Sequence, residues 1–392
     1  VLAGTSVRDA AKVMAQVRKG VLVLGGKKNK ELVGILTPKD LLSRVLAKNL
    51  SPDSTTVGDV MTPNPDCVSA DLTLLDALRE MHEHKYLHLP VKDSDGKIVG
   101  LVDVMDLLCH TAGGEGSGRG WRDFFRSAMA ARGDQDMSES GSEVSRGAVS
   151  ASKSKSRAGK GGSAVTSGGN SELERPVSKL RPKAPITAAD SSSILDVATK
   201  MAASRVDAAL LLDAEGGLSG IITDNDITRR VVSQFVDPLE AVASSVMTRN
   251  PKCVHVEDSA LDALEMMVDN RFRHLPVLDR DGVVVGLLDI AKCLYDAISV
   301  LEKVQGDSGS SGAGGTGLGA EAAALAVMTA AMQTTAGSRG ANAAQLQAMQ
   351  ALLSQVFGGS VPTLHKVLGS HVFQSVLAGT SVRDAAKVMA QV

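Results

Sequence analysis

Gly34-Ile35-Leu36-Thr37-Pro38-Lys39-Asp40 and Gly220-Ile221-Ile222-Thr223-Asp224-Asn225-Asp226 are one pattern written twice, 186 residues apart. Each reads Gly, two apolar residues, Thr, two further residues and Asp. An apolar strand runs into a helix start, with Thr at the N-cap and Asp in the first turn, three residues on. The Gly stands where a ligand must approach the backbone closely and a Cβ would be in the way. The Thr hydroxyl and nearby free N–H groups can face a phosphate. The Asp carboxylate can accept from both hydroxyls of a ribose. Arg44 and Arg230, four residues after the Asp, lie one turn along the same face and can reach phosphate. The plainer reading is that Thr and Asp simply start a helix well.

The same offset continues outward. Val60-Met61-Thr62, Asn64-Pro65 and Cys67-Val68 recur as Val246-Met247-Thr248, Asn250-Pro251 and Cys253-Val254. His88-Leu89-Pro90-Val91 recurs as His274-Leu275-Pro276-Val277, and Asp95-Gly96 as Asp281-Gly282. Each half divides again, giving four units. In unit two, Leu74, Ala77, Leu78 and Met81 follow helical spacing, matched by Ala260, Ala263, Leu264 and Met267 in unit four. A strand follows (Val21 to Leu24, Leu87 to Val91, Ala208 to Leu212). Asp-Gly turns then lead into second strands at Ile98 to Val102 and Val283 to Leu288. Closing helices are expected over Lys39 to Ala47 and Asp224 to Val232. One such unit is too small for a sufficient core, so units must pair.

A longer repeat encloses these. Val1 to Val17 (VLAGTSVRDAAKVMAQV) returns letter for letter as Val376 to Val392. The chain is expected to be a stretch of a longer tandem array, with neither end a natural terminus. Val361 to Gln374 stands where the lead-in of a unit belongs. It is expected to complete unit one, which lacks its own, leaving the second helix copy, Ser381 to Gln391, redundant.

Composition sets the outer limits. With 22% charged residues and a net charge of -2, there is no electrostatic case for nucleic-acid binding. No apolar run approaches the roughly 20 residues that span a bilayer. Four cysteines without CxxC spacing read as reduced thiols, with Cys67 and Cys253 at equivalent core positions. The chain is expected to be soluble and intracellular. No Ser-His-Asp set, metal-ligand spacing or P-loop is visible, so no enzyme, no metal and no catalytic cofactor is expected.

The helix–strand–strand–helix unit and the GhhTxxD signature, with the VMTPNP, VMTRNP and HLPV sequences, resemble cystathionine-β-synthase (CBS) domains, which pair into Bateman modules. RHLPVLDRDG and LLDIAKCLYDAI resemble plant, algal and fungal proteins with four CBS domains and a C-terminal ubiquitin-like oligomerisation domain. That last domain has no counterpart in these 392 residues, and the usual first pair matches units three and four here. The resemblance implies a mixed α/β (α+β) fold, four CBS units in two Bateman modules. The expected boundaries are 1–57 (lead-in strand missing), 58–112, 179–244 and 245–298. Gly/Ser-rich linkers fill 113–178 and 299–319, an Ala/Gln-rich helical segment 320–358, and a repeated lead-in and first helix 359–392.

Two features stand out in the first linker. Trp121, Phe124 and Phe125 form an aromatic cluster expected to dock on a neighbouring module. Lys153, Lys155, Arg157 and Lys160 form a weak basic patch, read as a solvated linker. Unit one is expected to pair with unit two and unit three with unit four, with fewer contacts between the pairs.

The resemblance also implies ligands: AMP, ADP, ATP or another adenosine derivative, held at Gly34, Thr37, Asp40 and Arg44 and at Gly220, Thr223, Asp226 and Arg230. In related modules a basic residue or His beside the hPV strand reaches the partner unit's ligand. That position offers Lys85 and His88, and Arg271, Arg273 and His274, with Arg273 favoured because a guanidinium in an apolar strand needs an anionic partner. Both histidines can equally be core residues. Units two and four carry Asp103 and Asp289 in place of Thr, and Lys292 in place of the ribose Asp, so those two sites should not hold a nucleotide phosphate. The expectation is a regulatory nucleotide-binding module, with other protein subunits or copies of itself as partners. The alternative is a tandem-repeat scaffold whose CBS pairs mediate protein contacts without ligand.

Overall fold

The computed structural model describes residues 1–26, 31–110, 121–122, 124–130, 175–307 and 363–368. The basic patch, the Ala/Gln-rich segment, the second linker beyond residue 307 and the second copy of the first helix lie outside the described residues.

All four units start their first helix alike. Ser6, Thr73, Ser193 and Ser259 sit in extended conformation, and each side chain accepts from the backbone N–H of the Asp three residues on. The helices Val7–Val17, Leu74–His84, Ile194–Ala203 and Ala260–Asp269 follow. An Ala in place of such a cap costs about 1 kcal/mol. Each helix leads into an antiparallel hairpin: Val21–Leu24 with Leu32–Leu36, His88–Lys92 with Ile98–Asp103, Ala208–Leu212 with Leu218–Thr223, and His274–Leu278 with Val284–Asp289. Every hairpin slips register at the same place, after Val23, Val91, Leu211 and Val277. Gly96 and Gly282 take the left-handed conformations that the Asp-Gly turns require (φ 76° and 79°).

A third strand completes each sheet. Thr62–Pro63 and Thr248–Arg249 pair antiparallel with the second strands of units one and three. Val68–Ser69 and Val254–His255 pair parallel with the first strands of units two and four. Unit three has a parallel lead-in strand as well, Thr187–Ala189. In unit one this strand shrinks to one bridge, Leu2 to Leu24.

The sheets join one with two and three with four. Leu22 and Ile35 meet Leu101 in the first pair, and Ala208, Leu210 and Ile221 meet Val284 and Leu287 in the second. The large cores join the pairs to each other, against expectation. Helices of units one and three share one core, with Val7, Ala10, Ala11 and Met14 packed with Ile194, Val197, Ala198 and Met201. Helices of units two and four share the other. The reason is the amphipathic helix: its apolar stripe exceeds what its own small sheet can cover, and only the helices of the other pair can finish the job. Arg8 ties the first junction. Its guanidinium binds Asp53 (2.5 and 2.7 Å), donates to the Val232 carbonyl (2.5 Å) and lies 3.9 Å from the centre of the Phe235 ring.

The aromatic cluster packs as expected. Residues 121–122 and 124–130 are helical, with Trp121, Phe124 and Phe125 buried in the core of units two and four. Trp121 Nε1 donates to the Leu108 carbonyl (2.6 Å), and Arg122 pairs with Asp262 and Glu265 of unit four.

The lead-in segments cross over. Val177–Leu180, ahead of unit three, lies on unit four: Val177 N–H donates to the Asp258 carbonyl and Ser178 N–H to Val256. Leu364–Leu368 lies on unit two in the same way, with Leu364 N–H donating to Leu72 and His365 N–H to Ala70. The expectation that this segment completes unit one is therefore corrected. Leu364 and Val367 fill the apolar edge of unit two's first helix, as Val177 does in unit four.

Candidate functional site

In unit one, Thr37 is extended (φ -115°, ψ 162°) and caps the short helix Pro38–Asp40. Its N–H and its hydroxyl both donate to Asp40 Oδ2 (2.8 Å each), and its Oγ1 accepts from the Asp40 N–H (3.3 Å). Arg44 stands 3.3 Å from the other carboxylate oxygen, Oδ1. Its guanidinium also donates to the Val60 carbonyl (2.8 Å) and Thr62 Oγ1 (3.1 Å). Burial pushes the Asp40 carboxyl up, opposed by the Thr37 hydrogen bonds and Arg44.

Unit three repeats this. The Thr223 hydroxyl donates to Asp226 Oδ2 at 2.8 Å, Arg230 Nε lies 3.4 Å from Asp226 Oδ1, and Arg230 donates to the carbonyls of Val246 and Met247. The backbone after each short helix also departs from the regular helix expected. Leu41–Val45 and Ile227–Val231 form π turns, followed by 3-10 turns at Leu46–Lys48 and Val232–Gln234. Units two and four close with ordinary helices, Val104–His110 and Ile290–Asp307. Single π turns of this kind recur at functional sites.

The reason given above for the glycines is corrected. Gly34 and Gly220 lie inside their strands, and a Cβ on either would strike the thioether of Met61 or Met247 and come within 3.0 or 2.9 Å of the carbonyl of Thr62 or Thr248. The protein's own crossing segment demands the glycine. Units two and four obey the same rule with their lead-ins, Leu368 over Gly100 and Pro182 over Gly286, each 2.5 Å from a Cβ there.

The residues beside the hPV strands separate into two cases. In the first pair, Gly20 precedes the strand whose Val21 faces Leu36, so Gly20 stands opposite Thr37. A methyl on Gly20 would lie 3.5 Å from both the Thr37 methyl and the ring Cδ2 of His88. His88 of unit two thus reaches the signature of unit one across the sheet junction. In the second pair Ala208 faces Thr223, and its methyl is buried in that junction. Arg273 does have an anionic partner, but a protein one: it pairs with Asp207 of unit three and lies 3.8 Å from Asp289.

Burial pushes both His88 and His274 down to about 4, reinforced by the charge of Arg273, so both rings are neutral at pH 7. A cationic imidazole waiting for phosphate is not what the fold provides. Asp224, at the helix start where unit one has Pro38, is pushed up to about 7 by burial and by Asp207, against the pull of Arg273. Burial, the largest single influence, would raise Asp207 too, but the combined pull of Arg273 and its positive neighbours holds that carboxyl low.

The substituted signatures are also helix caps. Asp103 Oδ1 accepts from the Asp106 N–H (2.8 Å), Asp106 Oδ2 accepts from the Asp103 N–H (3.0 Å), and Lys19 of unit one pairs with Asp106 at 2.5 Å. Asp289 accepts from Ala291 N–H, and Lys292 pairs with Asp296. Gly20, Lys19, Asp207 and Asp224 were missed in the sequence. The hairpin register would have found them, because it fixes which residue faces the signature Thr. Among the described residues no group of three or more His, Cys, Asp or Glu is placed to hold a metal, and no helix is long and apolar enough to cross a membrane.

The chain is similar to CBS domain-containing protein CBSCBSPB3 of Arabidopsis thaliana, 33% identical over 309 residues that cover 77% of this chain and 51% of the relative. It is similar also to Meiotically up-regulated gene 70 protein of Schizosaccharomyces pombe, 30% identical over 305 residues, 72% of this chain and 40% of the relative. The chain thus spans about half the length, or less, of the curated relatives it matches. Among solved structures, a CBS domain protein of Pyrobaculum aerophilum complexed with AMP is 26% identical, with 32% of this chain and 99% of that one covered and a TM-score of 0.29. The CBS domain pattern matches residues 1–47, 57–112, 177–233 and 242–295, more than half of the chain and all four hairpin units; the chain belongs to the CBS domain family.

Proposed function

We propose that this chain is a non-catalytic regulatory module that binds an adenine nucleotide or another adenosyl ligand. Unit one provides the principal site and unit three a weaker one. The observation that carries this reading is the set around Thr37. A hydroxyl, a carboxylate and a guanidinium converge at a π-distorted helix start, and Gly20 lets His88 of the neighbouring unit come close beside them. Asp40 Oδ1, whose contact among the described residues is the long one to Arg44, is the oxygen left for ribose hydroxyls; Arg44, a little over a third exposed, is the cation left for phosphate. A second reading, a scaffold that binds nothing, is favoured by one fact: Asp40 Oδ2 and most of Arg44 already have partners within the protein.

Calorimetric titration with AMP and ATP separates the two. A charge-assisted hydrogen bond is worth about 1.5–3 kcal/mol. Asp40→Ala should therefore weaken binding about 10- to 100-fold, and Asp226→Ala should remove only the weaker event. The absence of heat with any adenosine ligand at millimolar concentration would hand the case to the scaffold.

A further inference from the structure

Asp224 is a buried carboxyl, 4% exposed, that plays no part in the binding set of unit three, yet it directly follows the signature Thr223. Its N–H donates to the Asp207 carbonyl (2.9 Å), and its side chain accepts from the Asn225 N–H (2.8 Å). Charged groups reach it from the elements packed around it. The turn ahead of unit three's first strand brings Asp207, itself buried. Unit four brings Arg273, the neutral His274 and the half-buried Asp289, which faces His274 in register. Unit one brings Lys39, an exposed side chain whose Nζ donates to the Arg205 carbonyl (3.4 Å). Its own helix adds Asp226, bonded to Thr223, and Arg230, 3.4 Å from Asp226. The guanidinium of Arg273 is committed elsewhere: it pairs with Asp207 and lies 3.8 Å from Asp289. Among the described residues Asp224 is thus the acid of this cluster left without a cation of its own. Burial and Asp207 push its carboxyl up to about 7, against the pull of Arg273 and Lys39.

We propose that nucleotide binding at unit three is gated by a proton on Asp224: the site takes an anionic phosphate when that carboxyl is neutral and rejects it when the carboxyl is ionised. The gate rests on the adenine-nucleotide reading of units one and three. A phosphate held beside Thr223 adds negative charge next to a buried acid whose neighbouring guanidinium is already shared by Asp207 and Asp289. One proton taken from solvent removes the conflict without any movement of the backbone. Like charges that share a site raise the proton affinity of one of them, so the arriving phosphate itself draws the proton in. Binding and protonation then favour each other, by the reciprocity that any pair of linked equilibria obeys. Unit one has Pro38 at the place of Asp224 and Lys19 at the place of Asp207, so it carries no carboxyl there to be neutralised.

Two variants of the full chain isolate the sites: Asp226→Ala leaves unit one to bind, and Asp40→Ala leaves unit three. Each is titrated calorimetrically with AMP at pH 6 and at pH 8, in buffers of different ionisation enthalpy so that the protons taken up are counted. The phosphate of AMP has its own ionisation near pH 6, which acts on both sites alike, so unit one is the reference. With a carboxyl that titrates near pH 7, the competent fraction falls about tenfold between the two pH values, and the affinity of unit three should fall about tenfold relative to that of unit one. At pH 8 unit three should take up about one proton more per AMP than unit one does. Adding Asp224→Asn to the Asp40→Ala chain should abolish both the relative fall and the uptake. Equal pH dependence at the two sites, or a relative fall that persists with Asp224→Asn, overturns the gate and leaves the nucleotide reading standing. Failure of the Asp40→Ala chain to bind AMP at pH 6, with or without Asp224→Asn, removes the nucleotide reading of unit three and the gate with it.

Discussion

The pair of units one and two and the pair of units three and four answer one architectural problem with opposite charges. Directly before the residue that faces the signature Thr, the first pair has Lys19, bound to Asp106 across the sheet junction, and the second has Asp207, bound to Arg273. Beside this position stand Gly20 and Pro38 in the first pair, Ala208 and Asp224 in the second. At the junction of the first pair a glycine lets a neutral His pack close to the signature Thr. The junction of the second is filled by a methyl, two extra carboxyls and a guanidinium they hold fast. Similar signatures thus sit in dissimilar surroundings. The unit three signature keeps Arg230, as exposed as Arg44, but has the carboxyl of Asp224 next to Thr223 and that of Asp207 nearby.

The largest expected effect breaks the second junction. Arg273→Ala leaves the buried Asp207 and the half-buried Asp289 without their counter-charge, and losing one partner of a buried pair costs about 3–5 kcal/mol. For a body of this size that is a melting-temperature drop of about 6–20 °C. Lys19→Ala in the first pair, where the lysine is 35% exposed, should cost under about 1 kcal/mol. Equal losses, read by thermal unfolding, would erase the contrast.

The next effect is on binding. Gly20→Ala puts a methyl 3.0 Å from the Leu36 carbonyl and against Thr37 and His88, so nucleotide affinity at unit one should fall about tenfold with the fold intact. Ala208→Gly should strengthen the weaker site, and calorimetry of both variants shows whether this position sets the difference.

A smaller effect depends on pH. Asp224 has its folded pKa raised to about 7 by burial, so its contribution to stability is fully present below about pH 4 and is lost as pH rises through 7. Asp224→Asn should therefore raise the melting temperature by a few degrees at pH 8 and leave it unchanged at pH 4. Unit one, with Pro38 in that place, has no carboxyl there to contribute. The smallest effect expected is that of deleting residues 376–392. With Val1 to Val17 present, no unique core contact is lost, and the melting temperature should stay within about 2 °C.

Much of this was legible in the residues. The Ser/Thr-x-x-Asp caps, the helical spacing of Leu74, Ala77, Leu78 and Met81, the Asp-Gly turns and the Thr37/Asp40 and Thr223/Asp226 boxes are local patterns, formed within a few residues of chain. The π turns after Asp40 and Asp226 were not legible, because they form where the closing helix packs against the helices of the other pair. The demand for Gly34 was seen but attributed to a ligand, since nothing local shows that Met61 folds back over it. Arg273 was singled out for needing an anion, and only the register that brings Asp207 beside it shows that the protein supplies one.

The sequence by itself determined the four units, their caps, strands and turns, and the two intact signatures, because each arises from periodicity and short-range hydrogen bonding. The tertiary structure decided which unit covers which. Helices pair one with three and two with four because apolar stripes are buried wherever complementary area is found, without regard to chain order. It also placed each lead-in on the second unit of its pair, and it separated two like signatures by the charges packed beside them. Those choices depend on contacts between residues far apart in the chain, 66 positions for Asp207 and Arg273 and 224 for Arg8 and Val232, which no local pattern encodes.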